Sequence, residues 1–160
     1  MSVIQVKKNR AEATMTIVVA LDATVEQVWD LWADPRKLEK WWGPPTWPAT
    51  FDDFTLAVGQ EANYFMTGPE GEKAGGWWKF TDVQAPSKLE ITDGFANPDG
   101  SPSDDSPPMS MTVTLVKHGD ATHLELTTKF KDEAHFDELL EMGMEEGMAG
   151  ALGQMDMLLK

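Results

Sequence analysis

Residues 29–45, which read Trp-Asp-Leu-Trp-Ala-Asp-Pro-Arg-Lys-Leu-Glu-Lys-Trp-Trp-Gly-Pro-Pro, decide the fold of this chain. The stretch holds four of the seven tryptophans. An i, i+3, i+4, i+7 spacing, which is that of one helix face, relates Val25, Val28, Trp29 and Trp32. Thr24 lies just before this pattern and Gln27 lies three residues after Thr24, which is the spacing of a capping box. The spacing therefore predicts a helix over 25–33.

A second helix start follows directly. Asp34 is a good N-cap residue, and Pro35 suits the first helical position because no N–H is needed there. We expect this helix to run over 35–42 and to stop at Gly43, since Pro44 cannot continue it. One face of it carries Leu38, Trp41 and Trp42. Two short aromatic helices thus meet at a corner and must cover an apolar surface.

The composition predicts one globular domain over residues 1–160. Hydrophobic residues make up 41% and charged residues 25%, which is too apolar for a disordered chain. The absence of cysteine excludes disulfides, a thiolate zinc site and a cysteine nucleophile, and fits a reducing cytoplasm. A net charge of −14 argues against nucleic acid and against an anionic membrane surface as partners. No run of about 18 apolar residues suggests a membrane span, and we expect no signal peptide.

Alternating β-branched and aromatic residues separated by turn residues predict an antiparallel sheet. The predicted strands cover 13–21, 47–57, 60–67, 75–84, 88–95, 111–117 and 123–130. The last two form a hairpin around His118-Gly119-Asp120. The segment 96–108, rich in proline, serine and aspartate, is expected to be a solvated loop, and residues 1–11 a loose N-terminal segment.

The C-terminal region predicts a long helix over about 133–159. Its apolar face would carry Met144, Met148, Leu152, Met155 and Leu159. Four glycines interrupt the pattern at positions 143, 147, 150 and 153, and each costs roughly 1 kcal/mol in a helix interior. Either the backbone approaches a neighbour closely there, or the helix is loose.

The order of elements predicts an α+β fold. A curved antiparallel sheet of about six or seven strands would hold two short helices after its first strand, and the C-terminal helix would cover its inner face. Because a curved sheet and one helix rarely fill the space between them, we expect a cavity there. On the strand 75–84, Trp77 and Trp78 point to opposite faces, and we expect Trp78 and Phe80 to face inward.

Four motifs in this order resemble the family of homologues of the activator of the heat-shock-protein-ninety ATPase. They are Trp32-Ala-Asp-Pro-Arg-Lys-Leu38 with Trp41-Trp42-Gly43-Pro44, then Gly68-Pro-Glu-Gly71 with Val83-Gln-Ala-Pro-Ser-Lys-Leu89, then the loop at Asp99-Gly100, and finally Gly143-Met-Glu-Glu-Gly147 leading to Leu152. The resemblance extends over about residues 13–159, nearly the whole chain. The resemblance implies the helix-grip, or Bet v 1-like, fold of the START-like (SRPBCC) superfamily.

The resemblance settles the fold better than the function, because superfamily members include lipid carriers, polyketide cyclases, hormone receptors and co-chaperone domains. In the family's last helix a tryptophan usually stands where this chain has Met148. If Met148 faces the cavity, its smaller and flexible thioether leaves more room there. A ligand carried over from a relative is therefore not assured.

We expect the cavity to bind a hydrophobic or aromatic small molecule. The residues expected in its walls are Trp42, Tyr64, Met66, Trp78, Phe80, Met111, Met144, Met148 and Leu152. Trp47 is an alternative to Trp42 as the ring at the lip, and Tyr64 is a candidate for orienting the ligand. Ordinary core packing is the favoured interpretation for Trp29, Trp32 and Trp41. Core packing is also favoured over a pocket lining for the methionine stripe, which consists of Met144, Met148 and Met155 with Met109 and Met111 on a strand.

An alternative function is an enzyme of the cyclase or hydrolase type acting on aromatic or polyketide-like substrates. It requires a buried carboxylate or tyrosine in the cavity, and the candidates on strands are Glu61, Tyr64, Asp82, Glu90 and Asp93. Each of these carboxylates is by default a surface charge, so none is nominated as catalytic. A further alternative, implied by the family name, is a co-chaperone-like module of the stress response.

No cofactor motif occurs in the sequence. His118, His123 and His135 are not at metal-ligand spacing, so we expect no metal site. His123 is expected at the surface. The acidic stretch 132–146 is best interpreted as a solvated helix face. The expected state is a monomer or a weak homodimer, with a chaperone as a less favoured partner.

Overall fold

An eight-stranded antiparallel sheet is the central element of the structure. The computed structural model describes residues 2–159. In chain order the strands are Ser2–Asn9 (β1), Thr14–Leu21 (β2), Ala49–Phe51 (β3), Glu61–Thr67 (β4), Lys73–Gln84 (β5), Lys88–Ala96 (β6), Met109–His118 (β7) and Ala121–Lys129 (β8). Across the sheet their order is β1-β2-β8-β7-β6-β5-β4-β3. The predicted α+β architecture is confirmed, with eight strands rather than six or seven.

The eighth strand is β1, in the segment that was expected to be loose. Ser2–Asn9 pairs antiparallel with β2, with a register irregularity between Val3 and Gln5. Val3 and Val6 pack against the core, and Arg10 and Lys8 form ion pairs with the C-terminal helices. These long-range contacts explain why a charged segment is ordered. Met1 lies outside the described residues.

The two helices between β2 and β3 begin as predicted. Val25–Ala33 (α1) starts with the capping box, in which the Thr24 hydroxyl accepts from the Gln27 N–H and the Gln27 side chain accepts from the Thr24 N–H. Pro35–Leu38 (α2) is capped by Asp34, whose carboxylate accepts from the Arg36 N–H at 2.9 Å. The second helix is shorter than the expected 35–42, because residues 39–42 form turns that lead to Gly43 at φ 96°.

The expected long C-terminal helix is broken into three. Glu133–Glu141 (α3), Met144–Leu152 (α4) and Met155–Leu158 (α5) are separated at Gly143 and at Gly153-Gln154. Gly143 has φ 89°, a left-handed conformation that an L-residue adopts only with strain, so it ends the run of α3 and redirects the chain. Gly143 and Gly153 thus mark the breaks between the helices, and the prediction of a single continuous helix was wrong.

Another difference lies in the third strand. The prediction of 47–57 reduces to Ala49–Phe51, which pairs with three residues of β4 at the sheet edge. After Phe51 the chain turns away, and the carboxylate of Glu39 accepts a hydrogen bond from the Phe51 N–H at 2.7 Å. This hydrogen bond between Phe51 and Glu39 holds the end of β3 against the turn that follows α2.

The core between sheet and helices is rich in aromatic rings. Trp78 and Phe80 face inward and are fully buried, as predicted. Ring centroids lie 4.5 Å apart for Trp32 and Trp41 and 4.8 Å apart for Trp42 and Trp78. Such edge-to-face pairs add to the stabilisation from burial alone. The interlocked rings, which we call the tryptophan cluster (Trp32, Trp41, Trp42, Trp78), hold α1 and α2 on the sheet.

Candidate functional site

A cavity of about 320 Å³ lies between the sheet and the helices α3 and α4. Most of its lining is apolar. The lining residues are Trp42, Gly43, Pro44, Tyr64, Met66, Asp93, Phe95, Met109, Leu139, Met142, Gly143, Met144, Gly147, Met148 and Ala151. A volume of this size is within the range of small-molecule sites.

Methionine and glycine dominate the helical side of the cavity. Met142, Met144 and Met148 line it from the end of α3 and from α4. Gly147 also lines it, and a Cβ placed on Gly147 would meet no atom within 4 Å. The space that a side chain at position 147 would fill is therefore left open in this chain.

A buried polar pair forms part of the opposite wall. Tyr64 on β4 donates its hydroxyl hydrogen to Asp93 Oδ1 on β6 over 2.9 Å. Both residues line the cavity, and Asp93 is 5% exposed. Because β5 lies between the two strands, the tyrosine must reach across it. It does so over Gly76, where any Cβ would collide with the Tyr64 ring.

Burial governs the ionisation of the pair. Desolvation raises the pKa of Asp93 from 3.8 to about 7, against the opposing effects of the Tyr64 hydroxyl and the nearby Trp78 indole. Burial, followed by the charge of Asp93, raises the pKa of Tyr64 well above 10. Asp93 is thus a carboxyl group that changes charge near neutral pH inside an apolar cavity.

Two indole N–H groups lie beside the pair. The N–H of Trp78 is near Asp93 and the N–H of Trp42 is near Tyr64, close enough to favour the ionised forms. Within residues 2–159, however, neither N–H makes a hydrogen bond of acceptable geometry. Buried donors without partners cost free energy, so these two groups add polarity to the wall without being fully satisfied.

Five of the nine residues predicted for the cavity walls lie in its lining. They are Trp42, Tyr64, Met66, Met144 and Met148. The other four, Trp78, Phe80, Met111 and Leu152, are fully buried in the core and do not line the cavity. They point inward as expected, but other side chains separate them from the open space. Trp42 rather than Trp47 is the ring at the cavity.

The sequence did not point to Phe95, Leu139 and Met142 as lining residues, and Asp93 and Met109 were candidates for the cavity that were not included among the nine expected wall residues. For Asp93 a signal was present, because Leu89 and Ile91 are buried and Asp93 continues their alternation along β6. Met109 likewise continues the inward face of β7. Met142 reaches the cavity because the chain bends at Gly143, and no local sequence pattern predicted the position of this bend.

A second groove, of about 560 Å³, lies beside β4, β5 and β6 and the loop 96–100. Three aspartates, Asp52, Asp53 and Asp99, are among its lining residues, and Lys73 Nζ lies 4.4 Å from the centroid of the Phe65 ring. Tyr64 lines this groove as well as the first cavity. Its lining mixes charged and amide side chains with apolar ones, whereas the first cavity is lined mostly by apolar side chains, so it is the weaker candidate for an apolar ligand.

The histidines are not grouped around the cavity. His135 is buried at the start of α3, where its Nδ1 accepts from the Lys131 N–H at 3.0 Å and its Nε2 lies 3.3 Å from the Ser106 hydroxyl. This contact ties the loop 97–108 to α3. His123 is half-buried and stacks on His118 with centroids 4.2 Å apart, rather than lying fully at the surface. Within residues 2–159 no three His, Asp or Glu side chains are grouped as metal ligands.

An antiparallel sheet gripping C-terminal helices around an apolar cavity defines the helix-grip class of the START-like superfamily. The chain belongs to the family described as Activator of Hsp90 ATPase homolog 1-like protein, which it matches over residues 22–160. The resemblance that the four sequence motifs carry is thereby confirmed.

Solved structures agree with this assignment. The chain is similar to a protein from Arthrobacter aurescens solved by NMR, with 46% identity over 99% of this chain and 92% of that one and a TM-score of 0.95. It is also similar to Ms6760 from Mycobacterium smegmatis, with 38% identity over 99% of this chain and 98% of the other and a TM-score of 0.92. An AHSA1 protein from Silicibacter pomeroyi, at 19% identity over 92% and 97% of the two chains, shares the fold with a TM-score of 0.74.

No curated protein matches the chain. Among residues 2–159 no helix has the length and apolar character needed to cross a membrane.

Proposed function

We propose that this protein binds a hydrophobic or aromatic small molecule in the cavity between the sheet and α4. The observation that carries the proposal is the cavity itself, about 320 Å³ of space lined mostly by apolar side chains. At roughly 25 cal/mol per Å², burying about 200 Å² of apolar ligand surface would contribute about 5 kcal/mol before the costs of association. Tyr64 and Asp93 supply the polar groups that would orient the ligand.

The methionines suit an adaptable site. A thioether side chain has three rotatable bonds and a polarisable sulfur, so Met142, Met144 and Met148 can adjust to the shape of an apolar ligand. Met148 lines the cavity, and the family resemblance implies a tryptophan as the usual residue at this position. A smaller side chain at this position supports a roomier cavity here.

Native mass spectrometry of the protein as purified, and again after loading with decanol, tests the proposal. We expect a bound mass that departs on denaturation. Gly147→Phe should abolish it, because the ring would enter the open space beside Gly147. Gly147→Ala is the matched control and should retain the ligand. Undiminished binding by a folded Gly147→Phe variant would refute this location for the site.

Acid–base catalysis is a second candidate function, and Asp93 is the observation that favours it. The pKa of this carboxyl is raised by burial to about 7, where a group can act as both acid and base at neutral pH. The test is to incubate the molecule extracted from the cavity with the wild-type protein and with Asp93→Asn. A change in its mass or isomer composition that requires Asp93 would support catalysis, and an unchanged molecule would refute it.

A further inference from the structure

The charges that line the cavity are of one sign. Asp93 is the only carboxylic acid among the described residues of the lining, and no Lys, Arg or His shares the cavity with it, so the lining becomes negative when Asp93 ionises. The helices α3 and α4 contribute methionine, leucine, alanine and glycine to the lining, and β7 contributes Met109. A ligand carboxylate or phosphate would therefore meet a carboxylate with no cation to balance the two charges.

Aromatic rings stand next to this carboxyl group. Trp42 and Tyr64 both line the cavity, with their rings edge to face and their centroids 6.0 Å apart. The faces of such rings attract cations, and the attraction grows when the cation is desolvated. A carboxylate flanked by a tryptophan and a tyrosine is a chemical environment that favours an organic cation.

The carboxyl group is held in place and has an acceptor to spare. The Tyr64 hydroxyl occupies Oδ1, which leaves Oδ2 for a ligand. The tyrosine in turn is positioned by the close fit of its ring over Gly76. An ammonium group placed here would convert a costly unpaired buried charge into a paired one.

We propose, resting on the proposed function, that the cavity selects an organic cation, a protonated or quaternary amine on an apolar body, whose charged nitrogen pairs with Asp93 beside the contacting rings of Trp42 and Tyr64. The apolar body would lie against the methionines of α4. The net charge of −14 adds a long-range attraction for cations and a repulsion for anions.

Binding of the cation should depend on pH. Tyr64 on β4 is the titratable group that faces Asp93, and the lining residues of α3, α4 and β7 carry none. Because the pKa of Asp93 is about 7, the free protein becomes able to pair with an ammonium group as the pH rises through neutrality. An alkylamine stays protonated there, since amines of this kind have a pKa near 10. Its affinity should rise between about pH 6 and pH 8 and then level off.

The experiment compares three probes with the same chain, namely decylamine, decanol and decanoate, each below its critical micelle concentration. Binding is followed by the fluorescence of the tryptophans, one of which lines the cavity. At pH 8 we expect decylamine to bind at least about tenfold more tightly than decanol, and decanoate more weakly than decanol. Asp93→Asn should remove most of this preference for decylamine over decanol, because only the ring faces and the net charge then attract the cation.

Asp22→Asn is the matched control, since it removes one negative charge at an exposed position after β2 and should keep the preference for the amine. Equal binding of the three probes by the wild-type protein would overturn the inference and leave the proposed function standing. Binding of none of them would overturn both. A preference for decylamine that Asp93→Asn leaves undiminished, or tighter binding of decanoate than of decylamine, would also overturn the inference.

Discussion

The two sides of the core contain different types of side chain. On one side the tryptophan cluster fills the space between α1, α2 and the sheet with stiff rings in direct contact. On the other side α3 and α4 present methionines and glycines, and a cavity of about 320 Å³ remains. Large aromatic rings with few rotamers cannot change shape to fit a ligand. Flexible methionine side chains, and the space beside glycines, can accommodate one. The same core thus combines a rigid half with an adaptable half.

The largest expected effect comes from the rigid half. Trp32 is fully buried and contacts the rings of Trp41 and Trp78. We expect Trp32→Ala to lower the free energy of unfolding by roughly 3–5 kcal/mol, measured by urea unfolding. A loss below about 1 kcal/mol would show that the cluster is not the rigid element described.

Asp93 lies where the two halves meet, and Asp93→Asn should stabilise the protein at high pH. The folded pKa of about 7 is above the unfolded value of 3.8, so the folded state binds the proton more tightly. The contribution of Asp93 to stability is therefore fully present below about pH 4 and is lost as the pH rises through about 7, by a total of about 4 kcal/mol. Asparagine does not ionise, so the variant should gain most of this energy at pH 8 and nothing near pH 4. Urea unfolding over this pH range checks the slope, and a gain that does not change with pH would contradict it.

Two methionines, Met111 and Met148, allow a direct comparison of packing in the two halves of the core. Met111 is fully buried in the packed core, while Met148 lines the cavity. Truncation of Met111 to alanine should cost roughly 2–5 kcal/mol, as for a close-packed site. Met148→Ala should cost less than about 2 kcal/mol, because part of its surface has no packing partner to lose. Equal losses in thermal or urea unfolding would mean that the cavity side is packed as tightly as the rest.

The smallest effect should come from the glycines of the adaptable half. Gly147→Ala should stabilise the protein by about 1 kcal/mol, since the new methyl group meets no atom and alanine favours the helix. Gly143→Ala should instead destabilise it by roughly 1–2 kcal/mol, because φ is 89° there. Thermal unfolding of the two variants should shift in opposite directions. A shift in the same direction would place the bend elsewhere.

Local signals were enough to predict the rigid half of the core. The capping box at Thr24 and the Asp34-Pro35 start depend on neighbouring residues, and the alternation of Trp78 and Phe80 depends on strand geometry alone. The strand β1 could not be predicted in this way. It is held by pairing with β2 and by ion pairs such as Arg10 with Asp137, more than a hundred residues away in sequence.

The adaptable half was predicted only in outline. The four glycines of the last helix indicated that it was irregular, but the sequence did not show which of them would bend it. The position of Asp93 in the alternating pattern of β6 indicated a buried residue, whereas its ionisable side chain is typical of the surface. The partner that makes its burial tolerable, Tyr64, lies two strands away, and only the register of β4, β5 and β6 brings them together.

The central claim is that the methionine-lined cavity takes up an apolar molecule, and the methionine methyl groups report on it directly. Decanol would be titrated into protein labelled with ¹³C at these methyl groups and followed by NMR. We expect shifts at Met66, Met109, Met142, Met144 and Met148, which line the cavity. The signals from Met15, Met111 and Met155, which are buried elsewhere in the core, should not change. Absence of any shift, or equal shifts in both groups, would contradict uptake of an apolar molecule by this cavity.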